Sequence, residues 1–293
     1  MRRDRIPTSR REVLTGALAA SGGLIARGAL AGAPAAGFRE IEARTGGRLG
    51  LWAARDGSAP VAWRADERFL MCSTFKFLAV AAVLALVDKG VERLDRRIAY
   101  GQSDLLDYAP VTKAHVGQGG MGMGDLCAAA IELSDHTAAN LILASLGGPK
   151  GVTGYVRSLG DAVTRLDRIE PELNQAQPGD PRDSTTPASM AGLWRKILVG
   201  GALSTASRER MMDWLAACQT GAARLPTVTP PGWRIGHKTG SGRTTIGDIA
   251  MLSPPTGAPV LIAVYFECAG VPDARRDSAI ADAGRLALKL LKV

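Results

Sequence analysis

Cysteine is scarce in this 293-residue chain: four residues, at 72, 127, 218 and 268, with no C-x-x-C pair. Such scattered spacing excludes a zinc-ribbon or thioredoxin-type motif. Four cysteines allow three full disulfide pairings, and the sequence does not choose among them. Cys127 and Cys268 lie in apolar stretches, where free cysteine behaves as a small hydrophobe, so buried thiols are expected. Histidine is scarcer still, at 115, 136 and 237, with no spacing that joins a cysteine in a metal set. No metal or organic cofactor is therefore expected. Aromatic residues make up 5% of the chain and do not interleave with a basic stripe. The formal charge is +8, but residues 1–36 hold six arginines against Asp4 and Glu12, which accounts for half of it. A nucleic-acid partner is accordingly not expected. Past the N-terminal segment, the longest run free of charge and hydrogen-bonding side chains covers residues 77–87. A bilayer needs about 20 apolar residues, so that run is a buried helix and not a span.

The length suits one large or two smaller domains. Hydrophobic residues (46%) and charged residues (22%) stand at ordinary levels for a soluble globular protein. The first 36 residues read as an export leader. Arg10-Arg11 precede a weakly apolar Ala/Gly-rich stretch, as in twin-arginine signals, and Ala33-Pro34-Ala35 offers a small-x-small cleavage context near Ala36. The processed protein is expected to be a monomer without a membrane anchor, in a periplasm or outside the cell.

Residues 38–43 suggest a short helix, and 48–54 with 60–64 read as strands around the Asp56-Gly57 turn. The buried helix follows, stopped by Gly90. Residues 91–124 are loop-rich. Helices are expected at 126–133, 137–146, 189–199 and 207–218, and a long polar segment with four prolines fills 161–187. An irregular stretch of that length in a compact domain is usually functional. Strands return at 233–238, 244–252 and 260–268, ahead of a last helix at 278–291. Strands near both termini with helices between them imply an α+β fold. An antiparallel sheet is built from both ends and flanked by helices, beside an all-α domain. The expected division is 37–70 with 221–293 for the sheet domain and 71–220 for the all-α domain, the active site lying between them.

Ser73 and Lys76 sit three apart where the buried helix begins, and so share a face. Taken alone, S-x-x-K is more often an N-cap serine with a lysine reaching water, since so loose a pattern recurs often. Three further segments change that reading: Ser134-Asp135-His136, Arg168-Ile169-Glu170-Pro171-Glu172-Leu173-Asn174 and Lys238-Thr239-Gly240, in that order. Together they resemble the class A serine β-lactamases, whose S-x-x-K, S-D-N and K-T-G set is shared with penicillin-binding proteins. The resemblance runs over residues 38–291.

It implies that Ser73 is the nucleophile, activated by Lys76 and by Glu170 acting through water, with Glu170 driving deacylation. Ser134 would relay the proton to the departing lactam nitrogen, held near Lys76 and Lys238. Backbone N–H groups of Ser73 and Ser241 would form the oxyanion hole. Lys238, Thr239 and Ser241 would receive the substrate carboxylate, small Gly240 letting substrate lie along its strand. Arg224 and Arg276 are the two candidates for the arginine that the family often adds there. Tyr108 would wall the site, and Asn174 would help hold the deacylating water. Arg168 and Asp183 would pin the loop as an ion pair, and Glu170-Pro171 is a candidate cis bond.

His136 is a departure, standing where the family usually has asparagine. An asparagine amide offers a donor and an acceptor together, whereas a neutral imidazole presents them on opposite sides of a ring. Catalysis is expected to survive with an altered substrate range and to weaken in mild acid as His136 gains a proton. His115 and His237 read as structural or surface residues. Hydrolysis of β-lactam antibiotics competes with two other readings: a cell-wall peptidase and a sensor that is acylated and stays so. Glu170 and Asn174 discriminate, because those relatives lack a deacylating loop.

Overall fold

The computed structural model describes residues 33–175 and 179–293. The expected leader therefore lies outside the described residues, apart from its last four positions, which open the first helix.

Both ends of the described chain meet in one sheet. Helix α1 (Ala33–Thr45) leads into β1 (Arg48–Arg55) and β2 (Val61–Trp63), while β7 (Arg234–Ser241), β8 (Thr245–Ser253), β9 (Val260–Glu267) and helix α8 (Asp273–Leu290) close the chain. The order is β2-β1-β9-β8-β7, antiparallel throughout, with β1 of the N-terminal segment seated against β9. Strands β8 and β9 are buried on both faces, which is why they read as near-continuous apolar runs instead of alternating ones.

The two faces bury different cores. On one, Leu49, Leu51, Ile246, Ile262 and Val264 pack with Phe38 of α1 and Ile280 of α8. On the other, Ile249, Ala263 and Tyr265 join the helical half of the molecule. Its centre is α2 (Phe75–Asp88), whose residues 75–85 are all buried. A helix apolar on every side must be surrounded. Around it stand α3 (Met123–Glu132), α4 (His136–Ser145), α5 (Pro149–Ser158), α6 (Pro187–Trp194) and α7 (Thr205–Ala216). Phe77 stacks on Trp194 of α6 with ring centroids 4.2 Å apart. Two short ladders, β3 (Phe69–Leu70) with β6 (Ser184–Thr185) and β4 (Arg97–Ile98) with β5 (Met121–Gly122), tie loops to this body. Among the described residues, no helix is long and apolar enough to cross a membrane.

Several expectations need correction. Helix α5 was not anticipated, because Gly151 and Gly154 dilute its pattern. Pro149 in its first turn is nevertheless a recognised start signal. The helix expected over 189–199 is α-helical only to Trp194 and continues as a π-turn to Val199. Strand β7 runs through Ser241, three residues beyond its expected end, held by eight register pairs with β8. Cys268 is not buried: it ends past β9 with its Sγ 3.3 Å from the Gly46 carbonyl. Cys127 is buried, and all four cysteines are free.

Candidate active site

The 3₁₀ turn Cys72–Thr74 delivers Ser73 to the mouth of α2, and Cys72 takes a left-handed φ of 46° to start it. Non-glycine residues pay roughly 1–3 kcal/mol for that conformation, which marks a position over-determined by its surroundings. Lys76, one turn on, is fully buried and donates to Ser73 Oγ at 3.0 Å, to the Ser134 carbonyl at 2.8 Å and to Ser134 Oγ at 3.3 Å. Ser73 Oγ in turn donates to Glu170 Oε1 at 3.4 Å.

Ser134 also lies in the left-handed region (φ 59°), between α3 and α4. Its hydroxyl stands between two ammonium groups, since Lys238 Nζ donates to it at 3.2 Å. Asp135, fully buried, stands in the Ser134-Asp135-His136 segment without a role assigned from sequence. It caps α4 by accepting from the Ala138 N–H and clamps the neighbouring loop through the N–H groups of Val111 and Thr112. Its type and position, an aspartate just ahead of a helix, were the available signal. The His136 N–H reaches the Tyr108 carbonyl, and the two rings meet edge-on with centroids 5.2 Å apart. Tyr108 itself is 45% exposed at the rim.

The long loop carries Glu170 into the same space. Arg168 and Asp183 form an ion pair across its ends, with Asp183 fully buried, and the Glu170-Pro171 bond is cis. Asn140 of α4 holds Glu170 from behind: its Oδ1 accepts from the Glu170 N–H at 3.0 Å and its Nδ2 donates to the Glu170 carbonyl at 2.9 Å. This residue was missed, although it lies four past His136 and so on the same helical face. Asn174 Nδ2 donates to Glu170 Oε2 at 2.5 Å, and its buried Oδ1 has no partner among the described residues.

Strand β7 supplies the far wall. Lys238 is fully buried, and a Cβ on Gly240 would stand 2.6 Å from the Met71 carbonyl, so only glycine fits between strand and turn. The two candidate arginines separate clearly. Arg224 Nη2 donates to Ser241 Oγ at 2.8 Å, its Nη1 bonds the carbonyls of Gly240 and Gly247, and its Nε pairs with Asp277. Among the described residues, Arg276 bonds the backbone carbonyls of Gly242 and Arg243 and pairs with Asp273, and it reaches no side chain of the site.

Burial shifts the charges in a useful direction. It lowers the Lys76 pKa despite the attraction of Glu170, which brings a neutral, proton-accepting amine within reach. Burial would raise the Glu170 pKa, but the charge of Lys76, joined by His136 and by hydrogen bonds from Lys76 and Asn174, outweighs it and keeps the carboxyl below its usual range. Burial also lowers Lys238, to about 8. His136 falls to about 4, first through burial and then through repulsion by Lys76. That value speaks against the expected weakening in mild acid, since it leaves the ring neutral there, with its Nε2 3.7 Å from Glu170 Oε1.

A serine, two lysines and a carboxylate in one cleft can form and hydrolyse an acyl-serine. Known proteins agree. The sequence profile of the β-lactamase enzyme family matches residues 34–291. An ancestral class A β-lactamase is 54% identical, covering 88% of this chain and 100% of that one, with a TM-score of 0.85. The structure of the class A β-lactamase of the last common ancestor of Gram-negative bacteria gives 53% identity, 88% and 99% coverage, and a TM-score of 0.86. PenP of Rhodopseudomonas palustris, a proposed class A enzyme, gives 50%, 88% and 100%, and 0.85. The chain therefore belongs to the β-lactamase family, among the class A serine enzymes that open the β-lactam ring by hydrolysis.

Proposed function

We propose that Ser73 attacks the lactam carbonyl after giving its proton to Lys76, or to Glu170 through a water. Ser134 then carries a proton to the departing ring nitrogen, and backbone N–H groups of Ser73 and Ser241 hold the oxyanion. In the second step Glu170 removes a proton from water, which attacks the acyl-serine and frees Ser73. Asn174 orients that water: its buried Oδ1, without a partner among the described residues, is the acceptor such a water would meet beside Glu170. Lys238, Thr239 and Ser241 receive the substrate carboxylate. Arg224 is the arginine that supports them, and Arg276 holds the strand end. Tyr108 and neutral His136 line the acylamido side.

The observation that carries the reading is the position of Glu170 Oε1, 3.4 Å from Ser73 Oγ and 2.9 Å from Lys76 Nζ. A peptidase or a sensor needs no water-activating carboxylate there. The residues divide functionally into a sheet domain (37–70 and 221–293) and an all-α domain (71–220), with substrate entering between them. Residues 1–36 act as a twin-arginine leader, and the processed protein works as a monomer in the periplasm or outside the cell.

The test is turnover of a chromogenic β-lactam by wild type and Glu170→Ala, with mass spectrometry of each protein. Wild type is expected to turn over without accumulating adduct, and the variant to trap one equivalent on Ser73. Stoichiometric labelling of both proteins without turnover would favour the sensor instead.

A further inference from the structure

Behind the strand that takes the substrate carboxylate lies a buried imidazole that the mechanism leaves without a role. Lys238 of β7 lies beside Ile249 on the helical face, whereas His237 and Thr239 lie on the opposite face, covered by α8. Thr239 is the register partner of Asp248 in β8, and His237 is its diagonal neighbour. The His237 Nδ1 is 3.0 Å from Asp248 Oδ1. His237 is buried, and Asp248 is fully so. The other carboxylate oxygen, Oδ2, accepts the N–H of Leu225 at 3.2 Å. That N–H belongs to the peptide that follows Arg224. The Arg224 guanidinium reaches Ser241 Oγ at 2.8 Å and the carbonyl of Gly247, the residue before Asp248, at 2.9 Å. An imidazole, a carboxylate and a backbone amide thus run in line from β7 to the arginine.

We propose that His237 is a positioning residue for binding of the substrate carboxylate: its ring neutralises Asp248 and aims that carboxylate at the amide that seats Arg224. That role rests on the assignment of Lys238, Thr239, Ser241 and Arg224 to the substrate carboxylate.

A carboxylate taken out of water needs a partner, and a backbone N–H does not cancel a whole charge. Burial would lower the His237 pKa, but Asp248 outweighs it, with Cys218 adding to the rise, and the ring is raised to about 10. The imidazole is therefore a cation at neutral pH, and its contact with Asp248 is an ion pair. Asp277 has Arg224 for its cation, at 2.7 Å from Nε, and Asp248 has His237. Without the imidazolium, Asp248 becomes an unpaired negative charge directly opposite Thr239. An incoming carboxylate would meet it there as a like charge.

The effect belongs to binding and not to the chemical steps. Eight register pairs with β8 hold β7 in place, so Lys238 keeps its contact with Ser134 Oγ when the ring is lost. The segment carrying Arg224 lies outside the sheet and depends on such anchors.

The test measures KM and kcat for a carboxylate-bearing chromogenic β-lactam and for its methyl ester. It compares wild type, His237→Asn and the double variant His237→Asn with Asp248→Asn. The single variant is expected to raise KM for the acid about tenfold, with KM for the ester and both kcat values within about twofold, since only ground-state binding is lost. In the double variant the stranded charge is gone while an amide oxygen still takes the Leu225 N–H. KM for the acid should therefore return most of the way. A packing defect alone would raise KM for both substrates and would not be relieved by a second substitution; either outcome overturns the proposal. An NMR titration of the His237 ring needs no variant. The ring should stay protonated at about pH 8, well above the ordinary histidine value of about 6.5, and a ring already neutral at about pH 7 would overturn the proposal. So would an unchanged acid KM in His237→Asn while wild type still prefers the acid over the ester. Wild type that handles acid and ester alike would instead sink the assignment of the carboxylate subsite, and this role with it.

Discussion

The Lys76 ammonium lies 2.9 Å from Glu170 Oε1, and neither side chain is exposed to solvent. One partner comes from the central helix and the other from the long loop, so a single contact joins the floor of the site to its lid. Removing one member of a buried pair strands the other charge and typically costs about 3–5 kcal/mol. Lys76→Ala is expected to abolish acylation and to lower unfolding stability by about that amount. Adding Glu170→Gln should restore part of the stability and none of the activity. Denaturant melts of the two single variants and the double variant would check this; additive losses would contradict the coupling.

The pH profile should follow Lys238 on its alkaline side. Burial, reinforced by the charge of Lys76, holds this ammonium at about 8, so it is protonated below that pH and loses its charge as the pH rises through it. The substrate carboxylate then loses its buried partner. KM is expected to climb above pH 8 with kcat less affected. On the acid side the depressed Glu170 remains a carboxylate and His136 stays neutral, with its value of about 4. Activity should hold steady down to about pH 5, below the unperturbed histidine value of about 6.5. A break in kcat/KM between pH 6 and 7 that disappears in His136→Asn would assign the limb to histidine after all.

The two arginines near β7 should separate kinetically. Arg224 bonds Ser241 Oγ directly, whereas Arg276 bonds backbone carbonyls past the strand end and pairs with Asp273. Arg224→Ala is expected to raise KM about tenfold or more, the loss of one charge-assisted contact worth about 1.5–3 kcal/mol. Arg276→Ala should change KM by much less. Steady-state kinetics on a carboxylate-bearing substrate and its methyl ester decide the matter: only the acid should respond to Arg224→Ala.

Asn140 places Glu170 without facing substrate. Both of its amide atoms are spent on the Glu170 backbone. Asn140→Ala is expected to slow deacylation more than acylation, because the water-activating carboxylate loses its register while Ser73 and Lys76 keep theirs. Pre-steady-state kinetics should show an initial burst that wild type lacks. A purely structural role would instead lower the melting temperature with both steps equally affected.

The core gives a simpler expectation. Trp194 is fully buried on Phe77, and truncating a buried tryptophan to alanine costs about 3–5 kcal/mol. Trp194→Ala should therefore lower the denaturation midpoint strongly, with kcat nearly unchanged in the fraction that remains folded.

Much of this was legible in the chain itself. Ser73 and Lys76 three residues apart share a helical face wherever that helix sits, and Glu170 travels with Asn174 in one short turn. The strand pattern at both ends and the apolar run 77–87 set the class of fold, because periodicity is a local property of sequence. Element ends were less secure: α5 hid behind its glycines, and β7 outran its expected end because its partner strand continues.

What the sequence settled by itself was the kind of chemistry: a serine, two lysines and a loop glutamate in a recognisable order. What only tertiary structure decided was which distant groups meet. Arg224 and Arg276 look alike as letters and differ by what lies beside them, and Asn140 matters because a loop 30 residues away folds back onto it. His237 of β7 likewise meets Asp248 only because β7 pairs with β8. Local sequence fixes a residue's own backbone and face, but a contact between remote segments depends on how those faces pack, and no short stretch carries that information.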